Sequence, residues 1–136
     1  MNLGRFVAAQ DAVWPQVEAE LAAGAKRTHW MWFVFPQLAG LGRSETARFF
    51  ALSSAEEARA YLAHPVLGPR LRRGVELMLT HEGRDPAAIL GGIDAAKLRS
   101  CLTLFAQAAP GEPSFARALA AFYGGPDPRT LELLRR

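Results

Sequence analysis

The sequence predicts an all-α fold, a compact orthogonal array of about seven to eight short helices around one core. Three observations support this fold for a single domain over residues 1–136. Apolar residues recur at three- and four-residue spacing, which is the period of a helix face. Most of these segments begin at Ser, Asp or Asp-Pro and end at Gly, as helices do. The breaks between them are short, and the one strand-like apolar run has no second run to pair with.

The first two helices are predicted from their ends. The first is expected over Asn2–Gln10. Asp11 has the character of an N-cap for the second helix, with Pro15 in its first turn and Gly24 as its C-terminal stop. The buried face of the second helix follows a four-residue spacing, with Val13, Val17 and Leu21.

Residues 25–44 are unusually rich in aromatic side chains. The run Trp30–Phe35 is too short and too uniformly apolar to assign by its period, so a buried strand stays open. A short helix over His29–Val34 is favoured because the chain offers no partner strand. Pro36 is expected to end this helix, since the residue before a proline avoids helical angles.

The middle of the chain is predicted to form three helices. Ser44 is expected to cap the first, and Ser53 with Glu56 forms a capping box for the second. The helical pattern of apolar residues breaks at His64-Pro65. We expect His64 to cap the C-terminus of the preceding helix and Pro65 to open the third.

Four further helices are predicted towards the C-terminus. Their expected starts are Asp85-Pro86, Asp94, Pro113-Ser114 and Asp127-Pro128. The helix that Asp94 would cap is the longest of the four. Its apolar face predicts a buried side, with Leu98, Cys101, Leu102 and Phe105.

Charge and cysteine content argue against several classes of function. The formal net charge is +3, and of the 16 basic residues only Lys26 and Lys97 are lysines. The basic residues are interleaved with acids, which argues against nucleic-acid binding. The single cysteine, Cys101, has no disulfide partner in the chain and is expected to be buried. No histidine or cysteine spacing is typical of a metal site, so none is predicted.

The sequence predicts no leader and no membrane segment. Residues 1–6 lack a charged start followed by an apolar run. The longest apolar run, Trp30–Phe35, is far too short to cross a bilayer. We therefore expect a cytoplasmic protein.

The segment His29–Gln37, with the sequence HWMWFVFPQ, is distinctive enough to identify a family. Together with Gly40–Ser44 and Tyr61–Gly68, it resembles a bacterial family known as domain of unknown function 1810, whose members are sometimes labelled calpastatin. The resemblance covers nearly the whole chain. It implies an all-helical fold, and it implies no particular activity or cofactor.

The candidate ligand-binding residues begin with Lys26, His29, Trp30 and Trp32. Aromatic rings offer faces for stacking, and cations bind anionic groups. Their combination in one short segment favours a small anionic, nucleotide-like ligand. The alternative is a core aromatic cluster flanked by solvated charges.

A glycine-rich turn, Gly40–Ser44, follows the aromatic segment. Such a turn before a helix presents free N–H groups and the positive end of the helix dipole, which favour anions. Arg43 could add a bidentate contact, and Gln37 and Ser44 complete the candidate residues of this segment. The alternative is a tight turn with an N-cap, since the turn matches neither a P-loop nor a dinucleotide fingerprint.

Asp94 and Lys97 lie one helical turn apart and are expected to form an ion pair. They could also extend the ligand site, because Lys97 would lie on a polar stripe of its helix. No motif identifies a reaction or a cofactor. Binding alone, and binding with a transfer or hydrolysis step, therefore both stay open.

Two other functions remain as alternatives to ligand binding. The aromatic segment could be the contact surface of a protein-interaction module. The arginines could support weak nucleic-acid binding. The exposure of Trp30 and Trp32 separates the first alternative from a ligand site: burial beside a cavity favours a ligand, and broad exposure favours a protein partner.

Overall fold

The computed structural model describes residues 2–136, and this part of the chain contains ten helices and no strand. The all-α prediction is confirmed, and the helix number exceeds the expected seven to eight because three helices are only four or five residues long. The helices are α1 (Gly4–Asp11), α2 (Trp14–Ala23), α3 (Met31–Val34), α4 (Glu45–Phe49), α5 (Ala55–Ala63), α6 (Leu67–Leu79), α7 (Pro86–Leu90), α8 (Gly92–Ala108), α9 (Pro113–Phe122) and α10 (Pro128–Leu134).

The longest helix, α8, is the centre of the hydrophobic core. It packs against α5, α7, α9 and α10. Because neighbours surround it, its C-terminal half buries side chains on several sides, among them Leu104 and Phe105. Phe105 contacts Tyr61 of α5 and Phe115 of α9 at ring-centroid distances of 5.6 and 5.5 Å. The buried apolar residues form one cluster to which helices from both ends of the chain contribute.

Several predicted helix ends are confirmed. Gly24 follows α2 in the left-handed conformation, with φ 68° and ψ 32°, which glycine adopts without steric cost. Ser44 caps α4 by accepting from the backbone N–H of Ala47. Asp85 and Asp127 cap α7 and α10 in the same way. Capping residues in the sequence therefore predict several of the helix ends.

Several predicted starts are wrong by one to three residues, since α1 begins at Gly4 and not at Asn2, and α6 begins at Leu67 and not at Pro65. Asp11 is the last residue of α1, and α2 begins at Trp14 after the N-cap Val13. The capping box lies one residue later than predicted, because Ser54 is the N-cap of α5 and accepts from the N–H of Glu57. Asp94 lies in the first turn of α8, whose N-cap is Gly91.

His64 is the C-cap of α5, as predicted, and its backbone N–H donates to Tyr61 O at 3.2 Å. Its Nδ1 accepts from the backbone N–H groups of Val66 and Leu67, at 3.1 and 3.3 Å. These N–H groups have no partner within α6, so an imidazole acceptor satisfies them. His64 therefore has its expected place at the C-terminus of α5, and its side chain also satisfies donors at the start of α6.

The aromatic segment forms less regular structure than either prediction. The helix is a single turn, Met31–Val34, shorter than the expected His29–Val34. Beyond Pro36, Leu38 and Leu52 form one isolated parallel bridge, in which Leu52 N–H donates to Gln37 O at 2.9 Å. The aromatic segment is therefore one helical turn followed by a single β-bridge. No helix among residues 2–136 is both long and apolar enough to cross a membrane.

Candidate functional site

The candidate site is a cavity of about 390 Å³ between the segment before α3 and the corner where α7 meets α8. Five of the predicted ligand-binding residues line it. They come from two parts of the chain that are far apart in sequence, with Lys26, His29 and Trp32 on one side and Asp94 and Lys97 on the other. We call this space the first cavity.

A buried carboxylate, Glu20 of α2, holds the segment that carries Lys26 and His29. Its two oxygens accept from the backbone N–H groups of Arg27 and Thr28, the Thr28 hydroxyl, the Trp30 indole N–H and the Gln16 amide. Burial by itself would raise the pKa of this carboxyl, but the hydrogen bonds outweigh it and lower the pKa from 4.5 to about 2. Glu20 is therefore ionised at neutral pH and fixes the segment.

Lys26 is held at both its backbone and its side chain. Its N–H donates to Ile89 O of α7 at 2.8 Å, and its Nζ lies 2.9 Å from Asp94 Oδ2 of α8. The side chain is only 6 % exposed, and the ammonium also contacts Thr28 O and the ring of Trp30, 5.0 Å from the ring centroid. This ion pair joins the aromatic segment to the α7–α8 corner.

Lys97 approaches the same carboxylate from one turn further along α8. Its Nζ lies 3.8 Å from Asp94 Oδ1, as expected for an ion pair, and 4.9 Å from the ring centroid of Trp32. Within residues 2–136 this ammonium donates no hydrogen bond to protein. The two lysines of the chain therefore share the carboxylate of Asp94, and one positive charge remains uncompensated among the three groups.

The N-terminus of α8 opens into the first cavity. Gly91 adopts φ 89° and ψ 155°, a conformation almost restricted to glycine, and this bend starts the helix directly after α7. The N-cap supplies no side-chain hydrogen bond. The backbone N–H groups of Gly92, Ile93 and Asp94 donate to nothing else in residues 2–136. Free N–H groups and the positive end of the helix dipole therefore add to the charge of the lysines.

A second cavity, of about 460 Å³, adjoins the first. The two cavities share Ile93 and Lys97 on α8. Gln37 and Gly42 line the second cavity from the loop after α3, and Asp127 lines it from the N-cap of α10. Gln37 is thus the one predicted ligand-binding residue that lies in the second cavity and not in the first.

Trp30 lies beneath the first cavity and not in its wall. It is 1 % exposed, its indole N–H donates to Glu20 Oε1 at 3.0 Å, and its ring packs against Phe35. No face of this ring is open to a ligand, which corrects the expectation of stacking on Trp30. Trp32 is half-buried and remains in the wall.

Arg43 and Ser44 do not contribute to either cavity. Ser44 is used as the N-cap of α4, and Arg43 is exposed without a hydrogen bond to residues 2–136. The helix that follows, α4, has only five residues. The glycine-rich turn therefore has the form of a turn followed by an N-cap, the alternative weighed above.

Cys101 and His81 lie outside both cavities. Cys101 is fully buried in α8, and burial raises the pKa of its thiol well above the usual value. His81 contacts Leu21 O through Nε2 at 2.7 Å. In residues 2–136, no three His, Cys, Asp or Glu side chains lie close enough together to bind a metal ion.

Sequence reasoning missed Glu20 and the α7–α8 corner. The signal for Glu20 was its position three residues after Val17, on the buried face of α2, where a carboxylate needs several donors. No residue pattern in the sequence predicted the α7–α8 corner as part of a site. The free N–H groups of Gly92 and Ile93 depend on the φ of Gly91, and their proximity to Lys26 depends on the tertiary fold.

The comparisons with known proteins agree with the fold and name no activity. A family model described as a protein of unknown function, DUF1810, matches residues 1–134. A crystal structure described as the conserved hypothetical protein Rv1873 from Mycobacterium tuberculosis is 50 % identical, with a TM-score of 0.97 over 99 % of this chain and 97 % of that one. No curated protein matches the chain. The chain therefore belongs to the DUF1810 family.

Proposed function

We propose that this protein binds a small anionic ligand, phosphate-bearing and nucleotide-like, in the first cavity. The observation that carries the proposal is the convergence of Lys26 and Lys97 on the carboxylate of Asp94. Two cations around one carboxylate leave a positive charge that an anion neutralises. The cavity volume, about 390 Å³, lies in the range of small-molecule sites.

The donors in the first cavity suit an anionic group. Lys97 has three N–H donors and uses none of them on the described protein groups. The N–H groups of Gly92 and Ile93 are also unused. Hydrogen bonds in which one partner is ionised are about twice as strong as neutral ones. An anion that contacts Lys97 and the α8 N-terminus together gains several such bonds.

Hydrogen bonds within the protein hold one wall of the first cavity. Glu20 holds residues 27–30, and the Lys26–Ile89 hydrogen bond fixes Lys26 to α7. Ordering side chains on binding costs about 0.5–1.5 kcal/mol for each flexible side chain. A wall that is already held avoids part of that cost, which supports binding as the function of the cavity.

The two alternative functions receive less support. A protein-interaction surface needs the aromatic segment to be broadly exposed, whereas Trp30 and Phe35 are buried and Trp32 is half-buried beside a cavity. Nucleic-acid binding needs a continuous basic face. Several arginines instead pair with acids, as Arg72 does with Glu112. A steep fall of nucleic-acid affinity with salt would revive that alternative.

Isothermal titration calorimetry with inorganic phosphate and adenosine monophosphate tests the proposal. Lys97→Met removes the free ammonium, and Arg117→Met is the matched control, because Arg117 is exposed on α9 outside both cavities. We expect Lys97→Met to weaken binding roughly ten- to a hundredfold, the value of a charge-assisted hydrogen bond, and Arg117→Met to leave it unchanged. Equal affinity in the two variants, or no binding by the wild type, refutes the proposal.

A further inference from the structure

The two cavities adjoin each other at Lys97. Both are lined by Lys97 and by Ile93, whose side chain is 77 % exposed. Lys97 lines both cavities, and its ammonium lies 4.9 Å from the ring centroid of Trp32, a residue in the wall of the first cavity. One ligand that spans the two cavities therefore passes Lys97.

The second cavity has a different chemistry from the first. Asp127 Oδ2 accepts from the N–H and the hydroxyl of Thr130, at 3.0 and 2.6 Å. Asp127 Oδ1, however, has no hydrogen-bond partner among residues 2–136, and neither has the side-chain amide of Gln37. Asp127 Oδ1 is therefore free to accept a hydrogen bond from a ligand in the second cavity, and the Gln37 amide is free both to donate and to accept one.

The two arginines that line the second cavity already have partners within the protein. Arg99 donates to the carbonyl oxygens of Gly125 and Pro126, at 3.1 and 3.0 Å. Arg129 pairs with Glu132 at 3.4 Å. A second anionic group would also lie close to the Asp127 carboxylate. Uncharged hydroxyl groups, which donate to Asp127 and exchange hydrogen bonds with Gln37, fit this cavity better.

We infer that the ligand is a phosphorylated polyol, with its phosphate in the first cavity and its hydroxyl-bearing carbon skeleton in the second. This inference rests on the proposed function and adds the class of compound. The skeleton is that of a sugar phosphate, either free or as the ribose phosphate of a nucleotide. Lys97 contacts the phosphate, while Gln37 and Asp127 contact the hydroxyl groups.

The test is calorimetry with inorganic phosphate, ribose 5-phosphate and adenosine monophosphate, on the wild type, Gln37→Leu and Lys97→Met. Gln37→Leu removes the amide at nearly constant volume, and this amide has no partner in the described residues to lose. We expect ribose 5-phosphate to bind about tenfold more tightly than phosphate, because two or more hydroxyl hydrogen bonds are added. Gln37→Leu should abolish this advantage without changing phosphate binding, and Lys97→Met should weaken both ligands.

The outcomes separate the two proposals. If phosphate binds but ribose 5-phosphate binds no more tightly, or if Gln37→Leu changes neither ligand, the inference is overturned and the anion site stands. If neither ligand binds, both proposals fail. Tighter binding of adenosine monophosphate than of ribose 5-phosphate assigns the ligand to nucleotides, and equal or weaker binding assigns it to free sugar phosphates.

Discussion

At the scale of single residues, buried polar groups determine the site more than the aromatic side chains do. The aromatic segment drew attention in the sequence, yet Trp30 is a core residue. The residue that fixes the segment is Glu20, on another helix. A buried carboxylate is stable only when donors surround it, and the segment supplies most of the donors of Glu20.

Glu20→Gln is expected to destabilise the protein most at neutral pH. The pKa of Glu20 is lowered in the folded state from 4.5 to about 2. Because the folded state favours the ionised carboxylate, Glu20 stabilises the protein fully at pH values above its unfolded-state pKa of about 4.5. This stabilisation is lost as the pH falls from about 4.5 towards 2. The shift corresponds to about 3 kcal/mol at pH 7.

Urea unfolding of the wild type and Glu20→Gln at pH 7, 4.5 and 3 measures this effect. The difference in the free energy of unfolding should shrink as the pH falls through this window. A difference that is the same at all three pH values would mean that Glu20 does not stabilise the fold through its charge.

At the scale of secondary-structure elements, the α7–α8 corner determines the geometry of the site. The bend at Gly91 lets α8 begin directly after α7, and the resulting free N–H groups line the first cavity. The ion pair between Lys26 and Asp94 then joins this corner to the segment before α3.

Gly91→Ala and Gly92→Ala form a matched pair that tests the corner. A side chain at either position meets open space within 4 Å, so the variants differ only in backbone conformation. Alanine at Gly91 must adopt φ 89°, which costs about 1–3 kcal/mol. Alanine at Gly92 lies in the first turn of α8, where replacing glycine stabilises a helix by up to about 1 kcal/mol.

Thermal unfolding of the two variants should therefore give shifts of opposite sign. Gly91→Ala should melt at a lower temperature than the wild type, and Gly92→Ala at the same or a higher temperature. Equal destabilisation by both would show that the backbone conformation of Gly91 is not what builds the corner.

At the scale of the whole molecule, α8 is the central helix, and its buried thiol reports on the integrity of the fold. Cys101 is fully buried, and burial raises its thiol pKa. We expect no reaction with a thiol reagent such as dithionitrobenzoate at pH 8 over minutes, and full reaction in urea. Rapid stoichiometric reaction of the native protein would mean that α8 is accessible to solvent.

Much of the fold was predictable from the sequence, because caps and apolar periods are local. Ser44, Asp85 and Asp127 cap the predicted helices, and Gly24 ends α2. The site was predictable only in part. The combination of aromatic and basic residues in one short segment predicted Lys26 and Trp32 as site residues. The pairing of Lys26 with Asp94, however, joins residues far apart in sequence and depends on the packing of α7 and α8.

The central claim is that Lys26, Lys97 and the N-terminus of α8 together form an anion site. A titration of the ¹⁵N-labelled protein with sodium phosphate, followed by amide NMR shifts at constant ionic strength, tests it most directly. We predict saturable shifts that are largest for the N–H groups of Gly92 and Ile93, and that are lost in Lys97→Met but kept in Arg117→Met. Shifts that do not saturate, or that are centred on the exposed N-terminus of α4 after Ser44, would contradict the claim.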